Sequence, residues 1–434
     1  EQCRKAGAGE VRVVVGFGEN LVRQVVEPAG GVCFRQVSQN GTADAVRAAQ
    51  PETLEGPVLI LNGDHPLIEA DDIKKVVENF KETAGAITVV TAKLKKPGSY
   101  GRIVRSGGDV RAIVEAKDAS AETLKINEVN TGIYMLDAKL LNQLLPMVKN
   151  QNAQKEFYLT DIISLGLENG IKVHGVKLNS RVAQGVNSQA ELSIASRRVY
   201  ARKVKALQES GCMIVDPRST YFEDSVTLVA SSVIYPGCFL RGRTEIGQFV
   251  VLEPNCMIHN AKIADSVQVR AGSYLEDCEV NTKAVLGPYA RIRPETIIGA
   301  EAHIGNFVEL KKVKFGDKAK ANHLTYLGDA EVGEGSNIGC GTITCNYAVD
   351  RKKYKTIIGK NVFVGSDTQF IAPITVGDNA VIGSGSTITK DVPAQALAVA
   401  RGKQFIKENY VGEESSAQKA QDSGSSQKLS KDKK

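Results

Sequence analysis

Residues 234–258 read IYPGCFLRGRTEIGQFVVLEPNCMI, with an aliphatic residue at every sixth position: Ile234, Leu240, Ile246, Leu252 and Ile258. After a slip the spacing resumes at Ile263, Val269 and Leu275, then at Leu286, Ile292, Ile298, Ile304 and Leu310. A third block holds Ile358, Val364, Phe370, Val376, Ile382 and Ile388. A strict period of six is neither the 3.6 of a helix nor the alternation of an ordinary strand. It fits one short side of a coil, with three sides to a triangular turn and parallel hydrogen bonds from each turn to the next. The expectation is a left-handed parallel β-helix of hexapeptide repeats, its aliphatic residues stacked along the axis. Small or polar residues such as Gly247, Asn255, Gly299, Gly305, Gly377 and Gly383 are expected at its tight corners.

The preceding segment has a different rhythm. Val11–Phe17, Gly31–Gln36, Val58–Leu61 and Ala86–Thr91 read as strands, and Glu19–Val26, Thr42–Ala49 and Ala70–Phe80 as helices. Strands alternating with helices imply right-handed crossovers and a mainly parallel, Rossmann-like sheet of the nucleotide-binding type. Ligands sit at the carboxyl ends of such strands, where Asn62, Gly63 and Asp64 fall. The expected division is an α/β domain over 1–189, a linker helix over 190–211, the β-helix over 212–400 and a C-terminal tail over 401–434, disordered from Glu413 onward. The basic face of the linker helix (Arg197, Arg198, Arg202, Lys203, Lys205) reads as a solvated surface. Around Asp350-Arg351-Lys352-Lys353 the six-fold register breaks, marking a loop that projects from the coil. Such loops on rigid scaffolds often carry function.

Composition narrows the class. No apolar run is long enough to span a membrane and no charged-then-apolar leader opens the chain, so a cytoplasmic protein without a membrane partner is expected. Eight cysteines without a CxxC pair indicate free thiols rather than a disulfide framework or zinc knuckle. A net charge of +6 over 434 residues, without clustered aromatics, does not indicate nucleic acid. The chain begins at Glu1 rather than at a methionine and reads as an incomplete copy of a longer one.

Chemistry is suggested at several places. Asp64, at a strand end, offers the oxygen a hard divalent cation prefers, or is a turn former. Gln36 with Gly41-Thr42 at a strand-to-helix junction offers groups to a flat polar ligand, or is an ordinary helix cap. Arg293 and Lys311 are one full coil apart and stack roughly 5 Å from each other on one edge. Two stacked cations suit an intervening phosphate, although two exposed surface cations would give the same spacing. His323, within about one coil of that pair in the polar run Asn322-His323-Leu324-Thr325-Tyr326, is a candidate general base. Ser366, Ser384 and Arg401 fall on a line along the axis, as an extended ligand would require.

Four runs carry a resemblance: Gly305-Asn306-Phe307-Val308-Glu309; His323 through Ala330; Gly341-Thr342-Ile343-Thr344-Cys345-Asn346-Tyr347; and Val364-Gly365-Ser366-Asp367-Thr368-Gln369. The first domain adds Tyr100-Gly101-Arg102, Val114-Glu115, Asn130-Thr131-Gly132 and Gly185-Val186-Asn187. With these the chain resembles, from Val11 to Arg401, the bacterial bifunctional family that is both glucosamine-1-phosphate N-acetyltransferase and N-acetylglucosamine-1-phosphate uridyltransferase. The resemblance implies that His323 takes a proton from the sugar amine as it attacks acetyl-CoA. Arg293, Lys311, Tyr326 and Asn337 would hold glucosamine-1-phosphate, and Cys340, Asn346, Tyr347, Ser366, Ser384 and Arg401 would line the coenzyme site. In the first domain Asp64 and Asn187 would share Mg2+; Gln36, Gly41 and Thr42 would bind uracil; and Gly101, Glu115 and Asn130 would bind N-acetylglucosamine, with Asn62 and Gly63 beside them. That half would join N-acetylglucosamine-1-phosphate to UTP, giving UDP-N-acetylglucosamine, a precursor of peptidoglycan and lipopolysaccharide. The family is typically homotrimeric, with acetyl-transfer sites between subunits. It also opens with a strand and a glycine-rich phosphate loop that do not precede Glu1, so the resemblance implies uridylyl transfer only for a chain that carries them. The alternatives are a nucleotidyltransferase of other sugar specificity with a non-catalytic β-helix, and a non-catalytic binding relative. A metal hydrolase using His259, His303 and His323 does not fit the coil count.

Overall fold

A computed structural model describes residues 1–83, 86–152 and 154–410; the tail expected to be disordered from Glu413 lies outside them. The chain divides into two compact units, Glu1–Val199 and Tyr200–Lys434. Among the described residues no helix is long and apolar enough to cross a membrane.

Among the described residues the first unit has eight strands. β1 (Arg12–Val15) and β2 (Val32–Arg35) form a parallel pair of their own. The other six, β3 (Pro57–Ile60), β4 (Ile87–Lys93), β5 (Arg102–Ser106), β6 (Asp109–Val114), β7 (Glu128–Asp137) and β8 (Val173–Leu178), make one sheet in the order β6-β5-β7-β4-β8, with β3 also on β7. β3, β4 and β5 each pair antiparallel with β7, and β8 pairs parallel with β4. Those four strands therefore share one direction, and the expected parallel architecture is interrupted by β7. The β5–β6 hairpin, which the apolar rhythm did not reveal, turns on Gly107 and Gly108, both at positive φ.

Helices cover both faces of this sheet. Val76 and Phe80 of the helix Ala70–Glu82 pack with Val90, Ile133 and Met135. Leu141 of Ala138–Leu144 and Ile162 and Ile163 of Asp161–Glu168 pack on the other side with Ile87, Val89 and Leu136. Side chains alternate across the pleat, so Val89 and Val90 face opposite layers. The result is a three-layer sandwich with β3 leading directly into Asn62-Gly63-Asp64.

The second unit is the β-helix. Every aliphatic residue of the six-fold series, Ile234 through Ile388, is at most 4% exposed, and these residues form one continuous core. Each short strand pairs in parallel with the strand one coil on, as Leu240 with Ile258, Leu286 with Ile304, and Val364 with Ile382. The slips have a structural meaning. Ile246 pairs with Ile263 and Ile263 with Val280, so a coil loses one residue at a corner without losing its register to the next.

The corner residues work in two ways. Asn255 adopts φ +62, the left-handed turn that asparagine tolerates. Gly305 has no such angle; a Cβ there would lie 1.8 Å from the Asn322 carbonyl oxygen of the next coil, so close coil approach demands the glycine. At the register break the ladder steps from Glu331 to Ile357, a longer coil than the others because the chain after Cys345 leaves it as a loop closed by a Tyr347–Lys353 bridge and rejoins at Thr356.

Candidate functional site

In the β-helix one corner carries the histidine. Asn306 and His323 are register partners on adjacent coils, and His323 Nδ1 lies 3.0 Å from Asn306 Oδ1. The amide oxygen accepts, so Nδ1 carries the hydrogen and Nε2 keeps its lone pair on the exposed side of the ring. From His323 the same corner continues down the axis through coil-to-coil bonds. Gly341 N donates to Leu324 O at 2.8 Å, Asp367 N to Cys340 O at 2.7 Å, Gly385 N to Ser366 O at 2.8 Å, and Arg401 Nη1 to Ser384 O at 3.0 Å. His323, Cys340, Ser366, Ser384 and Arg401 thus form one line. Three coil steps of about 4.8 Å put Ser384 roughly 14 Å from His323.

The face that follows this corner carries the cations. Arg291 pairs with Glu309 and Glu309 with Tyr326; two residues on, Arg293 N donates to Leu310 O and Lys311 pairs with Gly328. Arg293 and Lys311 are stacked, and Arg293 Nη1 is held by Glu309 Oε1 at 2.7 Å. Sequence reasoning missed a third cation: Lys353, folded back from the projecting loop against Lys311. Its charge, with that of Arg293, holds the Lys311 ammonium below the usual lysine range. The basic run 351–353 was visible in the sequence, but nothing there says which of its members turns inward.

Gly328 explains how Tyr326 and Asn346 meet. A Cβ on Gly328 would lie 2.5 Å from the Tyr326 hydroxyl and 2.7 Å from Asn346 Nδ2, so both side chains close over it. Asn346 is only 6% exposed, and its Nδ2 donates to Asp329 Oδ2 at 2.6 Å. Tyr347, the next residue, is exposed. Asn337 is not part of this group within one chain. It stands in the column Lys320–Asn337–Phe363, on the face preceding the His323 corner, above a cleft of about 620 Å³ shared with His303, Lys318 and Lys320.

In the first unit two groups lie beyond β3. Asn130 N donates to Gly101 O at 2.9 Å, and a Cβ on Gly101 would lie 3.3 Å from Glu115 Oε1, so Gly101, Glu115 and Asn130 converge. Asn130 Oδ1 accepts from Gly132 N, and Asn62 Nδ2 lies against Gly132, which brings Asn62 to the same edge. Burial, reinforced by Asp118 and Asp161, pushes the Glu115 carboxyl above the usual carboxylate range.

The second group is Asp64 and Asn187. Val186 N donates to Asp64 O at 3.0 Å, which sets Asn187 beside Asp64, and a Cβ on Gly185 would lie 2.8 Å from Asp64 Oδ2. Both are exposed oxygen-bearing side chains next to Gly63, a donor set suited to a hard divalent cation. His65, neutral because burial lowers its pKa, leans on Asp64 with Nε2 3.7 Å from Oδ1. At the third place Gln36 Nε2 donates to Asp44 Oδ2 at 2.8 Å and Leu159 N to Thr42 Oγ1 at 2.9 Å. Gly41, at φ +116, lies against the Phe157 backbone, so these three residues form a rigid edge.

Comparison with known proteins agrees with both halves. The nucleotidyl transferase family pattern matches residues 23–181, and the bacterial transferase hexapeptide pattern, six repeats, matches residues 355–390. The bifunctional protein GlmU of Bdellovibrio bacteriovorus is 60% identical over 410 residues, covering 94% of this chain and 90% of that protein. Those of Trichlorobacter lovleyi and Geotalea uraniireducens are 43% and 42% identical over 413 residues, each comparison again covering 94% of this chain and 90% of the relative. With that identity carried through both units, the chain belongs to the bifunctional GlmU family.

Proposed function

We propose the residue roles for the two reactions of this bifunctional transferase: acetylation of glucosamine-1-phosphate by acetyl-CoA, then uridylyl transfer from UTP to give UDP-N-acetylglucosamine and pyrophosphate. The observation that carries the acetyl-transfer half is that His323, its tautomer set by Asn306, stands at the corner opening the coil face along which the stacked cations Arg293 and Lys311 lie.

The sugar phosphate sits between Arg293, Lys311 and Lys353, whose mutual repulsion an anion relieves. Tyr326 orients the sugar from over Gly328. His323 Nε2 takes a proton from the C2 amine as its nitrogen attacks the thioester carbonyl carbon. The tetrahedral adduct collapses by breaking the carbon–sulfur bond, and the imidazolium returns its proton to the leaving thiolate. Acetyl-CoA lies along the corner line past Cys340, Ser366, Ser384 and Arg401, with Asn346 and Tyr347 at its flank. Asn337 stands on another face, which supports a homotrimer in which the Asn337 face of one copy meets the Tyr326 face of the next.

In the first unit Gly101, Glu115, Asn130 and Asn62 hold the N-acetylglucosamine, and Gln36, Gly41 and Thr42 the uracil. A phosphate oxygen of N-acetylglucosamine-1-phosphate attacks the α-phosphorus of UTP, and the bond to pyrophosphate breaks. Asp64 and Asn187 would hold Mg2+, which supplies charge neutralisation at the phosphates. UTP and acetyl-CoA as substrates support a cytoplasmic location.

The test is release of coenzyme A thiol from acetyl-CoA with glucosamine-1-phosphate, beside glucosamine-6-phosphate as control. Release with the 1-phosphate alone supports the assignment, and release with neither contradicts it. Pyrophosphate release from UTP and N-acetylglucosamine-1-phosphate tests the other half in the same way.

A further inference from the structure

Asp329 lies at a corner where the phosphate clamp and the root of the projecting loop meet. It has φ +46 and follows Gly328, the register partner of Lys311. Its Oδ2 accepts from Asn346 Nδ2 at 2.6 Å, a charge-assisted bond on a side chain only 6% exposed. Asn346 is also the first residue of the loop, and its carbonyl accepts from Tyr354 N at 2.8 Å where the loop returns. The same carboxylate's field falls on Lys311 and opposes the depression that Lys353 and Arg293 impose there.

The bond fixes the direction of the Asn346 amide. With Nδ2 turned to Asp329, the opposite end of the amide is Oδ1, an acceptor without a hydrogen-bond partner among the described residues. An acceptor at that place suits a ligand N–H, such as the amides of the coenzyme's pantetheine arm. Resting on the acetyl-transfer reading above, we propose that Asp329 is a positioning residue of the acetyl-transfer site: it locks Asn346 as an acceptor for an N–H of acetyl-CoA and anchors the loop that carries Tyr347 and Lys353.

The proposal separates the two substrates. Asp329→Asn keeps the shape and removes the charge that selects the amide direction, so Asn346 is free to reverse and present a donor. The KM for acetyl-CoA rises about tenfold. The KM for glucosamine-1-phosphate stays level or falls, because a carboxylate beside the phosphate clamp has gone. General damage to the coil would raise both. Asn346→Ala raises the acetyl-CoA KM to a similar extent, and the double variant adds nothing further, because both changes remove one interaction.

The experiment is steady-state kinetics of thiol release for the wild type, the two single variants and the double, with thermal melts alongside. A rise in the acetyl-CoA KM with the glucosamine-1-phosphate KM level or lower, and a non-additive double variant, are the expected result. Unchanged values in Asp329→Asn, a joint rise of both, or an additive double variant would overturn the role of Asp329. If Asp329→Asn does not fold, Asn346→Ala alone decides: a rise confined to the acetyl-CoA KM supports the role, and no rise overturns it. A wild type inactive with glucosamine-1-phosphate would instead count against the reading on which the proposal rests.

Discussion

His323 and Asn306 occupy equivalent positions on successive coils, and the 3.0 Å contact between Nδ1 and Oδ1 assigns the histidine its tautomer. Asn306→Leu removes the acceptor and leaves the ring free to rotate or to place its hydrogen on Nε2. The expected outcome is a fall in kcat of roughly tenfold or more, with acetyl-CoA affinity by calorimetry unchanged. Loss of coenzyme binding together with turnover would mean that Asn306 supports the corner rather than the base.

Lys353 is expected to act on the sugar phosphate from the projecting loop. Lys353→Met should raise the KM for glucosamine-1-phosphate by about tenfold with little change in the acetyl-CoA KM. The pH dependence has a definite sign. Lys311 is held below the usual lysine range, chiefly by Lys353, so in the free enzyme it loses its proton earlier as pH rises. Below the pH at which Lys311 gives up its proton the clamp keeps that charge; above it the clamp weakens. The alkaline fall of kcat/KM for the sugar phosphate should therefore move to higher pH in Lys353→Met, even though binding at neutral pH is poorer.

Glu115 gives the opposite limb. Its carboxyl is raised by burial and by Asp118 and Asp161, so it takes up a proton at a higher pH than an ordinary carboxylate. As an acceptor for sugar hydroxyls it is effective only when ionised. Binding of UDP-N-acetylglucosamine, followed by calorimetry, should weaken on acidification while an ordinary glutamate is still largely charged. Glu115→Gln should bind more weakly at neutral pH and lose most of this dependence. An equally steep acid loss in Glu115→Gln would assign the titration to another group.

Gly328 is set by what stands over it. In Gly328→Ala the new methyl collides with the Tyr326 hydroxyl and Asn346 Nδ2, both ends of side chains that can move. The stability cost should be modest, about 1–3 kcal/mol. The acetyl-transfer cost should be larger, more than tenfold in kcat/KM, because the displaced groups are the proposed substrate contacts. A melt with full activity retained would show that the closure over Gly328 serves packing alone.

The β-helix was legible because its core is one-dimensional: Ile234, Leu240, Ile246 and their successors all point inward, and each coil repeats the previous one. Coil counting also read the stack of Arg293 on Lys311 and the line from Ser366 to Arg401. It left Asn337 unplaced, since Asn337 and Tyr326 are separated by a corner rather than by whole coils. Lys353 escaped because a loop outside the repeat has no register to count.

In the first unit the strand Glu128–Asp137 is buried on both faces, so its pattern carries no sign of its direction, and its antiparallel insertion had to come from the structure. The convergence of Gly101, Glu115 and Asn130 likewise depends on that strand, which brings together residues far apart in the chain.

The most direct test is His323→Ala, measured for thiol release with glucosamine-1-phosphate and, separately, for acetyl-CoA binding. A base acting at the amine predicts a fall in kcat of about a hundredfold or more with coenzyme affinity nearly intact. Unchanged turnover with lost coenzyme binding would contradict the account, and the corner at His323 would then be a coenzyme contact rather than the place where the proton moves.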